Sequence, residues 1–319
     1  MGRYRLGDIV RMTRKSLSIT QEQLCDEICS VETLSRIENG SQNPSRDVYE
    51  LLMERMGRIR ERAYSLLSVS DLKVLEQMKY FEDNIKQYNF VNAEAVLKEI
   101  KHTIGSSILD KQFLLRAESI INYYQKRISA QEYLEASEQA IRLTIPKYGL
   151  ISLAKWPLSF NEAQLLINIS NAYAEKQEYH NAINVIKDAY SAMKQSYMEE
   201  QQRAILLVTI ANNLSKWYGL IGNHEEAIVV ANEGIQICKN SKLGNALPNL
   251  LYGIAWNKER LIDMGTFTPD YEKECLNYFK KAYYLAMATR LSYMEEFIQK
   301  HVFTRYGSDL KIIDIRQKL

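Results

Sequence analysis

Proline and glycine are scarce, at five and 13 of 319 residues. Both interrupt helices, proline through its missing N–H and glycine through its backbone freedom, so their rarity predicts an almost wholly helical, all-α chain. Cysteine is scarce as well: Cys25, Cys29, Cys238 and Cys275 form no Cys-x-x-Cys pair, and the histidines His102, His180, His224 and His301 are scattered. That pattern excludes a recognisable zinc site and predicts reduced, mostly buried thiols in a cytoplasmic protein, with no metal and no cofactor. No apolar run reaches 18 residues, and no apolar signal core follows the basic N-terminus, so neither membrane insertion nor secretion is expected. Walker loops, Gly-rich dinucleotide turns and nucleophile elbows are missing too, which argues against an enzyme.

What is present is ordinary globular chemistry, 46% hydrophobic and 25% charged, over a length that suggests about two domains. The net charge of +2 says little, but residues 1–15 carry Arg3, Arg5, Arg11, Arg14 and Lys15 against Asp8 alone, a local +4. Such a cluster favours a polyanion, although solvated helix faces carry similar ones. Tyrosine is plentiful at 21 residues, and its amphipathic ring suits helix seams and groove walls.

The first sixty residues break into short helical pieces. Leu6, Ile9, Val10 and Met12 mark a first helix, which a polar break ends at Lys15-Ser16-Leu17-Ser18. Thr20-Gln21-Glu22-Gln23 is a capping box, starting a second helix with Leu24 and Ile28 inward one turn apart. A third helix begins near Ser30, places Leu34 and Ile37 on its apolar face, and stops at Asn39-Gly40. Asn43-Pro44-Ser45 opens a fourth with Val48, Leu51, Leu52 and Met56. Two very short helices joined by a tight turn make a poor core but a good helix-turn-helix, whose second member enters the DNA major groove.

The strings Thr20-Gln21-Glu22-Gln23-Leu24, Ser35-Arg36-Ile37-Glu38-Asn39-Gly40 and Asn43-Pro44-Ser45 resemble the Xre/Cro-repressor type of DNA-binding domain. Leu24 to Ser30, with a turn one residue shorter than most, is similar to the Rgg/PlcR branch of peptide-pheromone-responsive regulators. The resemblance implies that Gln21 contacts a phosphate or base edge, that Val31, Glu32 and Arg36 face the groove, and that Ser30 and Thr33 lie at its rim. Chemistry supports the roles: Arg36 can pair with guanine, Glu32 can accept from a cytosine amino group, and Val31 can touch a thymine methyl. Glu32 could equally be a solvated residue or one that repels wrong sequences. Arg11, Lys15, Asn43, Ser45 and Arg46 suit phosphate, the last three at a helix N-terminus. The resemblance also implies a buried ion pair between Arg14 and Glu38, which makes Arg14 structural in preference to a phosphate ligand.

The domain boundary is expected at 1–62, followed by a helical connector over 57–70 and a repeat domain over 71–319. Leu72, Leu75, Met78, Phe81, Ile85 and Tyr88 form one helical stripe. A repeat is visible when the chain is aligned on Ala93, Ala136, Ala182, Ala227 and Cys275, at separations of 43, 46, 45 and 48 residues. Phe90, Tyr133, Tyr179 and His224 stand three residues before the first four of these; Cys275-x3-Phe279-x2-Ala282 lacks the aromatic. The pattern resembles the tetratricopeptide repeat, best over Leu166–Ala189, with a period longer than usual. It implies about five helical hairpins stacked as a right-handed α-solenoid with a concave face, a shape suited to peptides.

In that arrangement the first helix of each hairpin faces inward, placing Asn168 and Asn213 at matching positions with Asn171, Asn212 and Lys216 nearby. A side-chain amide can pair with an extended peptide backbone regardless of sequence, or merely with an adjacent helix. Tyr173, Trp217, Tyr218 and Tyr252 read as core. A loop is expected between Thr144 and Pro157, and a short final helix over 309–319. The expected function is a homodimeric transcriptional regulator reading a palindromic site on double-stranded DNA, controlled by a short signalling peptide in quorum sensing. The alternative is an Xre-type repressor whose repeats bind a protein partner or only mediate dimerisation.

Overall fold

The structure, a computed structural model, describes residues 6–57, 69–105, 108–154, 158–194 and 200–310. Among these residues the chain is helical throughout, without a strand and with one isolated bridge between Tyr148 and Ile151. It divides into two compact units, Met1–Glu199 and Glu200–Leu319. No helix among the described residues is long and apolar enough to cross a membrane. Arg3 and Arg5, Trp156 and Pro157, and most of the expected connector and final helix fall outside the described residues.

The first unit opens with four short helices: α1 (Leu6–Ser16), α2 (Gln21–Cys25), α3 (Val31–Glu38) and α4 (Arg46–Arg55). None is long enough to hold itself in water, so a shared core must do it. Val10, Leu24, Leu34, Leu52 and Met56 are sealed in that core, with Ile19 and Tyr49 closing its sides. Side chains set the helix starts. Thr20 and Gln23 form the expected reciprocal box at α2, and Ser30 and Ser45 cap α3 and α4 by accepting from Thr33 and Val48 amides. Gly40 ends the α3 turn with φ of 78°, as its sequence position predicted.

One helix differs from expectation. α2 stops at Cys25, so Ile28 lies in the turn and not on the helix, although it still packs on the core. Glu27 in that turn takes a left-handed φ of 60°. The Arg55 guanidinium, itself buried, donates to the Leu24 and Asp26 carbonyls and thereby ends the helix from outside.

Three hairpins complete this unit: α5 (Val69–Lys86) with α6 (Phe90–Thr103), α7 (Ile108–Tyr124) with α8 (Ala130–Arg142), and α9 (Phe160–Glu175) with α10 (Tyr179–Lys194). The second unit holds α11 (Glu200–Leu220) with α12 (His224–Ser241), α13 (Leu247–Asp263) with α14 (Glu272–Ala288), and a last helix, α15 (Ser292–Tyr306). Five hairpins are therefore seen, as the repeat predicted. α15 was not anticipated from the sequence.

The repeat register needs one correction. In α6, α10, α12 and α14 the fourth residue is small and sealed: Ala93, Ala182, Ala227 and Cys275. In α8 that place belongs to Tyr133, which is 1% exposed, whereas Ala136 is half-buried. The cause is the Ser129–Glu132 capping box, which starts α8 three residues earlier than alignment on Ala136 assumes. The Tyr133 ring then stacks on Tyr123, with centroids 4.8 Å apart. Tyr88 also leaves its expected stripe: it is exposed in the α5–α6 turn with φ of 57°.

Close approach of α1 and α3 depends on Gly7. A Cβ there would lie 1.7 Å from the Ile37 carbonyl oxygen, and the obstacle is backbone. Gly7→Ala should therefore destabilise the four-helix head by about 1–3 kcal/mol, the ordinary cost of overpacking. Urea unfolding followed by circular dichroism checks this, and an unchanged midpoint would count against the packing described.

Candidate nucleic-acid interface

The end of α1, the start of α2 and one side of α3 enclose an open cleft of about 810 Å³. Arg11, Arg14, Lys15, Gln21, Val31, Ser35, Glu38 and Asn39 are among its lining residues. Four of the residues predicted to touch DNA, Arg11, Lys15, Gln21 and Val31, thus come together in one place. Arg11 and Lys15 are exposed on the last two turns of α1, and Lys15, in the last turn, also complements the helix dipole.

Glu38 lies at the bottom of this arrangement and is 4% exposed. Arg14 grips it with a two-pronged contact, Nε to Oε1 at 2.6 Å and Nη2 to Oε2 at 2.8 Å, while its third nitrogen donates to the Ile19 carbonyl at 2.8 Å. The Gln21 amide adds a third bond, Nε2 to Oε2 at 2.8 Å. Burial works against the charged carboxylate, but the bonds from Arg14 and Gln21 and the charges of Arg14 and Arg11 outweigh it, holding Glu38 below the usual glutamate range. Hydrogen bonding to Glu38 raises Arg14 in turn, against a smaller effect of burial. Arg14 is therefore spent on the fold, as the resemblance implied.

On α3, Val31, Glu32 and Arg36 are exposed on one side while Leu34, Ile37 and Glu38 are buried on the other. A five-donor guanidinium and a carboxylate on a free helix face are groups that can read base edges. Ser30 and Thr33 are already engaged: the Ser30 hydroxyl accepts from the Thr33 amide at 3.1 Å and lies 2.9 Å from the Thr33 hydroxyl. They fix the start of α3. Asn43 is exposed, Ser45 is the α4 cap, and Arg46 bonds Glu50 at 2.8 Å. Ser35 and Asn39 line the cleft but were missed in the sequence, although Ser35 stands one turn beyond Val31 and Asn39 one turn beyond Ser35.

The turn that presents α3 is tied to the repeats of the same unit. Lys147, in the loop after α8, pairs with Glu27 at 2.8 Å, and Asn161 at the start of α9 donates to Glu54 on α4 at 2.9 Å. α4 also packs against α7. These contacts leave the outward face of α3 open.

In the repeats, Asn168 on α9 is 8% exposed and its Nδ2 has no hydrogen-bond partner among the described residues. Asn171 on α9 is half-buried. On α11, Asn212 and Asn213 are half-buried and Lys216 is exposed. Ser170 and Ser215, two residues after Asn168 and Asn213, are both sealed, as the matching repeat positions require. No group of His, Cys, Asp and Glu among the described residues could hold a metal ion.

Residues 10–62 match a protein-family model described as helix-turn-helix. The rest of the chain is placed by its fold. PlcR of Bacillus thuringiensis, solved in complex with the peptide PapR7 and DNA, is similar with a TM-score of 0.62 at 18% identity, over 93% of this chain and 99% of that one. Its apo form gives 0.57 at 18%, over 92% and 97%. The apo competence regulator ComR of Streptococcus vestibularis gives 0.54 at 16%, over 94% and 97%. Comparison with curated protein sequences found no match. Residues 10–62 are thus a helix-turn-helix domain, and the chain shares its helical fold with PlcR and ComR.

A carboxyl whose folded pKa is depressed stabilises the fold above its unfolded value and loses that contribution as pH falls through the folded one. The head should thus weaken on acidification below about pH 4.3, the ordinary glutamate value. Glu38→Gln should flatten that part of the pH profile, as read by denaturant unfolding. Arg14→Met strands the buried carboxylate and should cost about 3–5 kcal/mol.

Proposed function

We propose that this chain is a sequence-specific transcriptional regulator whose α3 enters the major groove and whose repeats bind a short peptide that controls it. The carrying observation is the joint placement of cations at the α1 rim and an open recognition face, Val31, Glu32 and Arg36, on α3. Arg36 reads a guanine, Glu32 accepts from a cytosine amino group, and Arg11, Lys15, Asn43 and Arg46 hold the backbone. Ser30 and Thr33 act at the rim by fixing the start of α3. The head consists of residues 1–62 and the sensing region of 71–319.

A single head buries little surface, so the working form on a palindromic operator is a homodimer. Tyr293, Phe297 and Phe303 are exposed on α15 and offer apolar area for that contact. The peptide reading rests on Asn168, whose buried and unpartnered amide N–H group suits a peptide carbonyl, with Asn171, Asn212, Asn213 and Lys216 as further contacts. The fold it shares with PlcR, a protein solved with a peptide and DNA, supports the same reading, and quorum sensing is the setting we propose for it.

Two measurements test this. On a duplex selected from a random library by the protein, Arg36→Ala should cost about 1–3 kcal/mol and relax preference at one position. Arg11→Ala should weaken all duplexes alike and reduce the salt slope by about 0.9. Screening short apolar peptides by thermal shift should raise the midpoint of the wild type but not of Asn168→Ala/Asn213→Ala. Equal shifts in both would remove the peptide assignment.

A further inference from the structure

Two buried donors in the repeats have nothing to donate to. Arg116 on α7 is 3% exposed and pairs through Nη2 with Glu82 on α5, but its Nε has no hydrogen-bond partner among the described residues. Asn168 on α9 leaves its Nδ2 in the same state. Gln164, one turn before Asn168, donates to the other oxygen of Glu82 at 3.3 Å, so one carboxylate joins the first helices of three successive hairpins. Further along the same two helices, the Tyr123 hydroxyl on α7 donates to Glu175 on α9 at 2.9 Å. Arg116 and Asn168 therefore fall within one stretch where α7 and α9 pack side by side. That stretch meets solvent at Glu82, whose side chain is 18% exposed, and at half-buried Gln164.

Buried N–H groups without an acceptor are rare and costly in folded proteins. Glu82 decides what kind of acceptor can complete these two. Its charge already offsets that of Arg116, so a second carboxylate brought beside the pair meets uncompensated negative charge in a poorly solvated place. A neutral carbonyl oxygen meets no such repulsion, and its two lone pairs can take one N–H from each donor. We propose that Arg116 and Asn168 donate to a main-chain carbonyl of the bound peptide, and that Glu82 excludes acidic residues from that part of it. This rests on the peptide reading above and extends it, adding Arg116 and Glu82 to the site. The ligand is thereby defined as a peptide that is uncharged where it crosses the seam between α7 and α9.

The test uses the full chain and a displayed library of short random peptides, from which the most enriched peptide is synthesised. At one position of that peptide, Asp should bind the wild type at least about tenfold more weakly than Asn, which has the same shape, as expected for a contact involving a charge. Glu82→Gln removes the repelling charge and leaves Arg116 unpaired, so the order should reverse and the Asp peptide should bind more tightly. A Glu82 that only supports the fold would weaken both peptides alike and keep their order, which overturns the proposal. Replacing each peptide carbonyl in turn by a thiocarbonyl, a poorer acceptor, should cost the wild type roughly two- to tenfold at one position. Asn168→Ala should shrink that loss, and an undiminished loss would remove Asn168 from the carbonyl and overturn the assignment.

Should Glu82→Gln fail to fold, the comparison of Asp with Asn at every peptide position on the wild type gives the answer. One position with the stated preference, next to the carbonyl that the thiocarbonyl scan identifies, supports the proposal, and none refutes it. A library from which the wild type enriches no peptide overturns the peptide reading and this inference together. An enriched peptide that tolerates Asp at every position overturns the inference alone.

Discussion

One buried carboxylate holds the N-terminal head together. Glu38, at the end of α3, accepts from Arg14 at the end of α1 and from Gln21 at the start of α2. Three helices of 11, five and eight residues are too short to be stable singly, and their apolar core is small. A salt bridge in such a place gains little over an apolar pair in energy, but it cannot be satisfied in any other register. It fixes how α1, α2 and α3 meet, and the cleft and the open face of α3 follow from that meeting.

The turn after α2 shows the same economy from the other side. Glu27 takes a strained left-handed conformation and is met by Lys147, while Arg55 collects the carbonyls that α2 leaves open. The head is thus gripped both by its own ion pair and by the second and third hairpins. Any ligand that acts through the repeats must favour one arrangement of such contacts over another, since affinity alone shifts no equilibrium.

Much of this was legible in the sequence because it is encoded locally. Thr20 to Gln23, Ser30, Asn39-Gly40 and Ser45 act on their immediate neighbours, and each cap or stop forms where its spacing places it. The hairpins were legible through the sealed small residues of α6, α10, α12 and α14. What escaped was set by distant or competing groups. α2 ends early because an arginine 30 residues away in the chain caps it. The α8 register slipped because a capping box took precedence over an alignment by residue size. Ser35 and Asn39 were passed over since polar residues on a short helix carry no periodic signal of their own.

Methylation interference on the selected duplex tests the central claim most directly, that the exposed side of α3 is read into the major groove. Methyl groups at guanine N7 should abolish binding at one or two positions per half-site, and the Arg36→Ala variant should tolerate at least one of them. Interference confined to adenine N3 in the minor groove, or binding indifferent to every methyl group, would contradict the account.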